Sequence, residues 1–145
     1  MRTVIVTGAA GFIGMHTCLK LIKKYKVIGI DNLSSYYDVN LKKKRLQILK
    51  NYKNFYFEKM DICNKKKLEI IFKKNNPDFV INLAAVAGVR DSINNPGPYI
   101  QTNLVGFGNI IHLSKLYKVK HFVYASSSSV YGGNTKKIGN YFQKK

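Results

Sequence analysis

The chain has 145 residues, 46% of them hydrophobic, and a formal net charge of +18. That length suits one domain with a sizeable core, and that composition excludes disorder as a description of the whole chain. No apolar run approaches bilayer length, and the opening "MRTVIVTG" has neither the long apolar segment nor the cleavage site of a secretory signal, so a cytoplasmic protein with no membrane partner is expected.

The positive charge by itself would suit a polyanion. Only three of the 25 cations are arginines, however, and arginine is the residue that grips phosphates and bases bidentately. The lysines of "KLIKKYK", "LKKKRL" and "NKKKL" read as solvated helix faces, and no nucleic-acid partner is expected. Cys18 and Cys63 are far apart and read as reduced thiols. His16, His112 and His121 are not clustered, and no metal site is expected.

"TVIVTG" (3–8) reads as a buried strand that runs into "TGAAGFIG". Gly8, Gly11 and Gly14 fall in a G-x-x-G-x-x-G pattern between this strand and an amphipathic segment beginning at Phe12. Gly8 permits the tight turn, Gly11 lets backbone approach a pyrophosphate, and Gly14 lets the helix pack closely; the diphosphate would sit at the positive end of that helix. "KVIGID" (26–31) is the second strand, ending in Asp31, seventeen residues after Gly14. A carboxylate there either accepts hydrogen bonds from adenosine ribose hydroxyls, which favours NAD over NADP, or simply caps the next turn.

"NLKKKRLQILKNY" has the helical period. "NFYFEKMD" (54–61) follows as a strand, with Asp61 and Ile62 at its end, either flanking an adenine or, for the aspartate, capping the helix "KKKLEIIFKKN". "DFVINLAA" (78–85), a helix from about Pro98 to Tyr117, and "HFVYASS" (121–127) complete the alternation. Strands apolar throughout, separated by amphipathic helices, predict a Rossmann-like doubly wound α/β fold: a parallel sheet in the order 3-2-1-4-5, truncated after the fifth strand. Residues 1–133 are expected to form one incomplete NAD-binding domain and residues 134–145 a polar, disordered tail.

"VTGAAGFIG", "GIDNLSSYYDVNLKKKRL", "NLAAVAGVRDSINNP", "TNLVGFGNII" and "YASSSSVYGG" together resemble the nucleotide-sugar epimerase and dehydratase branch of the extended short-chain dehydrogenases. Within it the chain looks most like UDP-glucuronate 4-epimerases, over residues 1 to about 135. The resemblance implies an NAD cofactor, held by Gly8, Gly11, Phe12, Ile13 and Gly14, with Asp31 and Asn32 at the ribose and Asp61 and Ile62 at the adenine. It places Leu83, Ala84, Ala85 and Thr102 by the nicotinamide half. Ser127 would hydrogen-bond the reacting sugar hydroxyl as the family's catalytic serine. Arg90 in "AGVR" would meet a uronate carboxylate of a UDP-sugar, or is a surface arginine. Val86 stands where relatives often carry a larger polar residue. The implied reaction is C4 epimerisation through a 4-keto sugar, and intact relatives are expected to be homodimers.

That chemistry also needs a tyrosine base and, four residues on, a lysine that lowers its pKa. Tyr141 and Lys145 have the Y-x-x-x-K spacing, but Tyr141 comes only fourteen residues after Ser127, closer than the family spacing. A helix this short is marginal. The match reads as coincidence, and the chain is expected to be the N-terminal part of such an enzyme, inactive alone; the alternatives are a non-catalytic dinucleotide-binding module or part of another NAD-dependent UDP-sugar epimerase or dehydratase. Its fifth strand would then be an exposed apolar edge, with self-association as the consequence.

Overall fold

The computed structural model describes residues 1–127, 130 and 132. Five strands, β1 (Thr3–Thr7), β2 (Lys26–Asp31), β3 (Phe55–Lys59), β4 (Phe79–Asn82) and β5 (His121–Tyr124), form one sheet in the order β3-β2-β1-β4-β5. Every pairing is parallel; Val4 sits between Val27 and Phe79 in register. This is the doubly wound arrangement that the alternation of apolar strands and amphipathic helices predicts.

The two-residue period of β1 and β2 sorts their side chains into two cores. Val4, Val6 and Val27 face α1 (Phe12–Leu21) and α2 (Val39–Lys50), packing with Cys18, Leu46 and Leu49. Ile5, Ile28 and Ile30 face α3 (Lys65–Asn75) and α6 (Phe107–Leu116), packing with Leu68, Phe72, Ile110 and Leu113. All five residues of β1 are buried, as its central place between two covered faces requires.

Strand ends and the β4–β5 crossover differ from expectation. β4 stops at Asn82 rather than Ala85, because the N–H groups of Leu83 and Ala84 turn to the Thr7 hydroxyl (3.1 and 3.0 Å) instead of a ladder partner. A short helix, α4 (Val89–Asn94), precedes α5 (Gly97–Tyr99); it buries no residue, so it carries no apolar period to read. The segment anticipated as one helix from Pro98 to Tyr117 runs through α5 and a π-helical stretch (Ile100–Gly106) before α6. Single π turns inside helices often accompany functional sites.

Among the described residues, no helix is long and apolar enough to cross a membrane. The expected 134–145 tail, Tyr141 and Lys145 lie outside them.

Candidate functional site

The tips of β1, β2 and β4 meet at the turn Gly8–Gly11, where Asp31 reaches Ala10 and Leu83 backs Gly8, and the β3 tip joins them through the Asn32–Asp61 bond. Gly8 has φ +67°, the left-handed region, and a Cβ there would lie 2.9 Å from the Leu83 carbonyl. Gly14 is tighter: a Cβ would collide with the Gly8 carbonyl oxygen and lie 2.8 Å from its carbon. The glycines therefore let α1 press directly on the turn. Asp38 caps α2 through the N–H groups of Asn40 and Leu41, and Asn64 caps α3 through that of Lys67, whereas Gly11 offers α1 no side-chain cap. The first-turn N–H groups of α1 are thus left for an outside acceptor, at the positive end of the helix.

Asp31 is 8% exposed at the end of β2. One carboxylate oxygen accepts from the Ala10 N–H (3.0 Å) and the other from the Leu33 N–H (2.8 Å), so it joins the glycine turn to the β2–α2 loop. Each oxygen keeps a further lone pair for a hydroxyl donor. Asn32 folds its amide oxygen onto the Ser34 N–H and donates its amide N–H to Asp61 Oδ2 at 2.9 Å. Asp61 also accepts from the Cys63 N–H (2.8 Å). Desolvation pushes the Asp61 carboxyl up, but hydrogen bonds from the Cys63 N–H, the Asn32 amide and the Cys63 thiol outweigh it and leave it below the ordinary aspartate value.

Ile62 is 4% exposed and lies in the core beneath Gly106, whose missing Cβ would stand 2.6 Å from the isoleucine side chain. Its side chain faces inward; what the strand tip presents outward at this position is backbone. Phe12 and Ile13 are exposed on the first turn of α1, and Arg45 lies over the Phe12 ring at 5.8 Å. Thr102 lies in the π-helical stretch, half-buried, and Ala85 is exposed beyond β4. Arg90 is exposed on α4, and Ser127 is exposed three residues past β5, its carbonyl accepting from the Val130 N–H at 3.2 Å.

Several residues that build this rim lie within the quoted motifs but received no role from the sequence. Thr7 donates to Asn82 Oδ1 (2.7 Å) while accepting from Leu83 and Ala84, fixing the β4 tip against β1. Asn103 pairs with both backbone groups of Val86 (2.9 and 2.8 Å), and Asn109 donates to the carbonyls of Ile62 and Cys63. An asparagine inside a helix is a poor helix former, and this is the one local hint that either has another task. Among the described residues, no three His, Cys, Asp or Glu side chains are grouped to hold a metal.

A parallel sheet with a glycine turn, an uncapped first helix and an acidic second strand tip defines a dinucleotide-binding α/β domain of the Rossmann class. The chain belongs to the NAD dependent epimerase/dehydratase family, whose profile matches residues 4–144. It is 48% identical over 135 residues to Protein CapI of Staphylococcus aureus, covering 92% of this chain and 40% of that protein. It is 46% identical over 136 residues to the UDP-glucuronate 4-epimerase of Thermodesulfobacterium geofontis, covering 93% and 42%. The crystal structure of the UDP-glucuronic acid 4-epimerase of Bacillus cereus with UDP-glucuronic acid and NAD superposes with a TM-score of 0.86 at 35% identity, covering 94% of this chain and 44% of that one. The chain therefore spans about two fifths of the length of the curated relatives it matches.

Proposed function

We propose that this chain is the NAD-binding N-terminal part of a nucleotide-sugar epimerase acting on UDP-glucuronate. The observation that carries the reading is the amino end of α1, glycine-ringed and without a side-chain cap, with the Asp31 carboxylate bonded to the Ala10 N–H beside it. The group fits on the terms of these residues. The diphosphate meets N–H donors where Gly11 and Gly14 leave no Cβ, the ribose hydroxyls meet Asp31 and Asn32, and Asp61 borders the adenine with the backbone of Ile62. Leu83, Ala84, Ala85 and Thr102 border the nicotinamide half.

Bound NAD supplies the hydride acceptor that a C4 epimerisation through a 4-keto sugar requires. This chain's residues do the rest of what it can do. Ser127 hydrogen-bonds the reacting sugar hydroxyl, and Arg90 offers a guanidinium fork to the uronate carboxylate. Residues 1–133 form the binding domain. The chain by itself is expected to bind NAD without turning over UDP-glucuronate. The compartment is cytoplasmic, and the complete protein is a homodimer. Supporting that last point, Ile100, Leu104 and Ile111 expose apolar side chains at helical spacing along the π-helical stretch and α6.

Calorimetric titration of the chain with NAD, NADP and UDP-glucuronate tests this. NAD is expected to bind, NADP at least about tenfold more weakly because Asp31 repels the 2′-phosphate. Gly14→Val should abolish NAD binding. Equal affinity for NAD and NADP, or undiminished NAD binding by folded Gly14→Val, would overturn the reading.

A further inference from the structure

We propose that Tyr36 and Tyr99 are positioning residues that tie the dinucleotide side of the site to the segment 86–92, where α4 begins and Arg90 lies, so that NAD binding orders that segment. The inference rests on the NAD site proposed above. Tyr36 lies on the β2–α2 loop, five residues after Asp31, and its hydroxyl donates to the Ala87 carbonyl at 2.7 Å across 51 residues of sequence. Tyr99, at the end of α5, places its hydroxyl 2.9 Å from that of Tyr36, 2.8 Å from the Gly88 carbonyl and 3.0 Å from Asp91 Oδ2.

Gly88 is shaped around this pair. Its φ is +130°, and a Cβ there would lie 2.8 Å from the Tyr36 oxygen and 3.2 Å from the Tyr99 oxygen. The two phenols carry one proton each. With the Tyr36 proton on Ala87, the Tyr99 proton is left to serve Gly88, Asp91 or Tyr36. Desolvation of its hydroxyl, then its hydrogen bonds with Tyr36 and Asp91, push Tyr99 above the usual tyrosine value.

The connection back to the cofactor side is short and stiff. Asp31 accepts from the Leu33 N–H, Asn32 from the Ser34 N–H, and Leu33 is held at φ +56°. Lys42, itself 8% exposed, donates to the Ser34 carbonyl at 2.9 Å and holds the middle of the loop. A ligand that fixes Asp31 and Asn32 therefore fixes the base of Tyr36, and Tyr36 fixes Ala87, three residues before Arg90. A purely structural staple would slow opening of the 86–92 segment equally with and without ligand. A positioning link makes that opening depend on NAD, since a ligand shifts an equilibrium only through a difference in its contacts.

The test is amide hydrogen exchange across residues 86–92 of the whole chain, with and without saturating NAD, beside calorimetric NAD titration. In the native chain NAD should slow exchange there by about threefold or more. Tyr36→Phe should retain NAD affinity within about threefold while the NAD-dependent slowing disappears. Tyr99→Phe leaves the Tyr36–Ala87 bond in place and should keep part of the slowing. Unchanged NAD-dependent slowing in Tyr36→Phe overturns the inference, as does its absence in a native chain that binds NAD. Failure of the native chain to bind NAD sinks the site assignment itself, and this inference with it.

Discussion

The sheet has two unlike halves. Around β1, β2 and the start of β3, helices cover both faces: α1 and α2 on one, α3 on the other, with Val4, Ile5, Val6, Val27 and Ile28 at 0–2% exposure. Around β5, among the described residues, only the α6 side is packed, where Phe107 meets the rings of Phe122 and Tyr124. On the α1 side a shallow apolar groove, lined by Leu21, Tyr25, Phe79, Ile81 and Val123, stays open, and Val123 is 44% exposed. Both strand types are equally apolar in sequence. Apolarity alone therefore does not say where stability resides; the number of helices laid over a strand does. The proposed cofactor turn belongs to the covered half, and Ser127 to the other.

The largest expected effect tests this division directly. Leu49→Ala in α2 removes a side chain that is 0% exposed and should cost about 2–5 kcal/mol, from transfer loss plus a cavity that cannot collapse. Val123→Ala, an apolar truncation smaller by one carbon in β5, should cost less than about 1 kcal/mol, because the side chain is already 44% exposed and little burial is lost. Urea denaturation midpoints of the two variants measure the difference. Equal losses would mean that the β5 half is as tightly packed as the β1–β3 half.

The fold was readable because its determinants are local and repeated. Strands 26–31 and 3–7 follow from β-branched runs that meet glycine or aspartate, and the parallel order follows from the helix placed between each pair. The glycine spacing at 8, 11 and 14 and the carboxylate at 31 likewise sit close together in sequence, so the turn and its acidic neighbour could be anticipated. What escaped is what depends on distant side-chain-to-backbone bonds: Asn103 to Val86, Asn109 to Ile62, Tyr36 to Ala87. Such bonds leave no period. The inward turn of Ile62 was hidden for the same reason, since it depends on Gly106 lying against it.

A middle-sized effect concerns association. β5 is the last strand on its side of the described sheet, and Val123 and Tyr124 are 44% and 54% exposed. An apolar strand at an edge is a template for another chain, and a lysine blunts it. The native chain should self-associate in sedimentation velocity runs at micromolar concentration, and Val123→Lys should move the population toward monomer without lowering the urea midpoint. A native chain that sediments as a single monomer would break the contrast, because it would show the β5 half protected by something other than packing.

The smallest effect compares one aspartate from each half. Asp61 at the β3 tip and Asp78 before β4 both titrate below the ordinary carboxylate value, for different reasons. For Asp78 the leading cause is the hydrogen bond from Lys120, at 2.8 Å, followed by the Thr3 N–H. For Asp61, hydrogen bonds from uncharged donors overcome desolvation. A carboxyl depressed in the folded state contributes stability that is fully present above its unfolded pKa of about 3.9 and lost as pH falls through the lower folded value. Both Asp61→Asn and Asp78→Asn should therefore lower stability near pH 7, where the bonded carboxylate contributes fully, and converge on the native chain as pH falls below about 4, which flattens the acid limb. Salt separates them. The ion pair of Asp78 is solvent-facing and is screened at about 1 M salt, where the Debye length is about 3 Å, so the Asp78→Asn effect should shrink there toward what the Thr3 N–H bond alone contributes. The Asp61 bonds involve no cationic partner, and the Asp61→Asn effect should persist. Acid titrations of circular dichroism at low and high salt read both, and a salt-sensitive Asp61 would show that the covered half, too, leans on its lysine-rich surface.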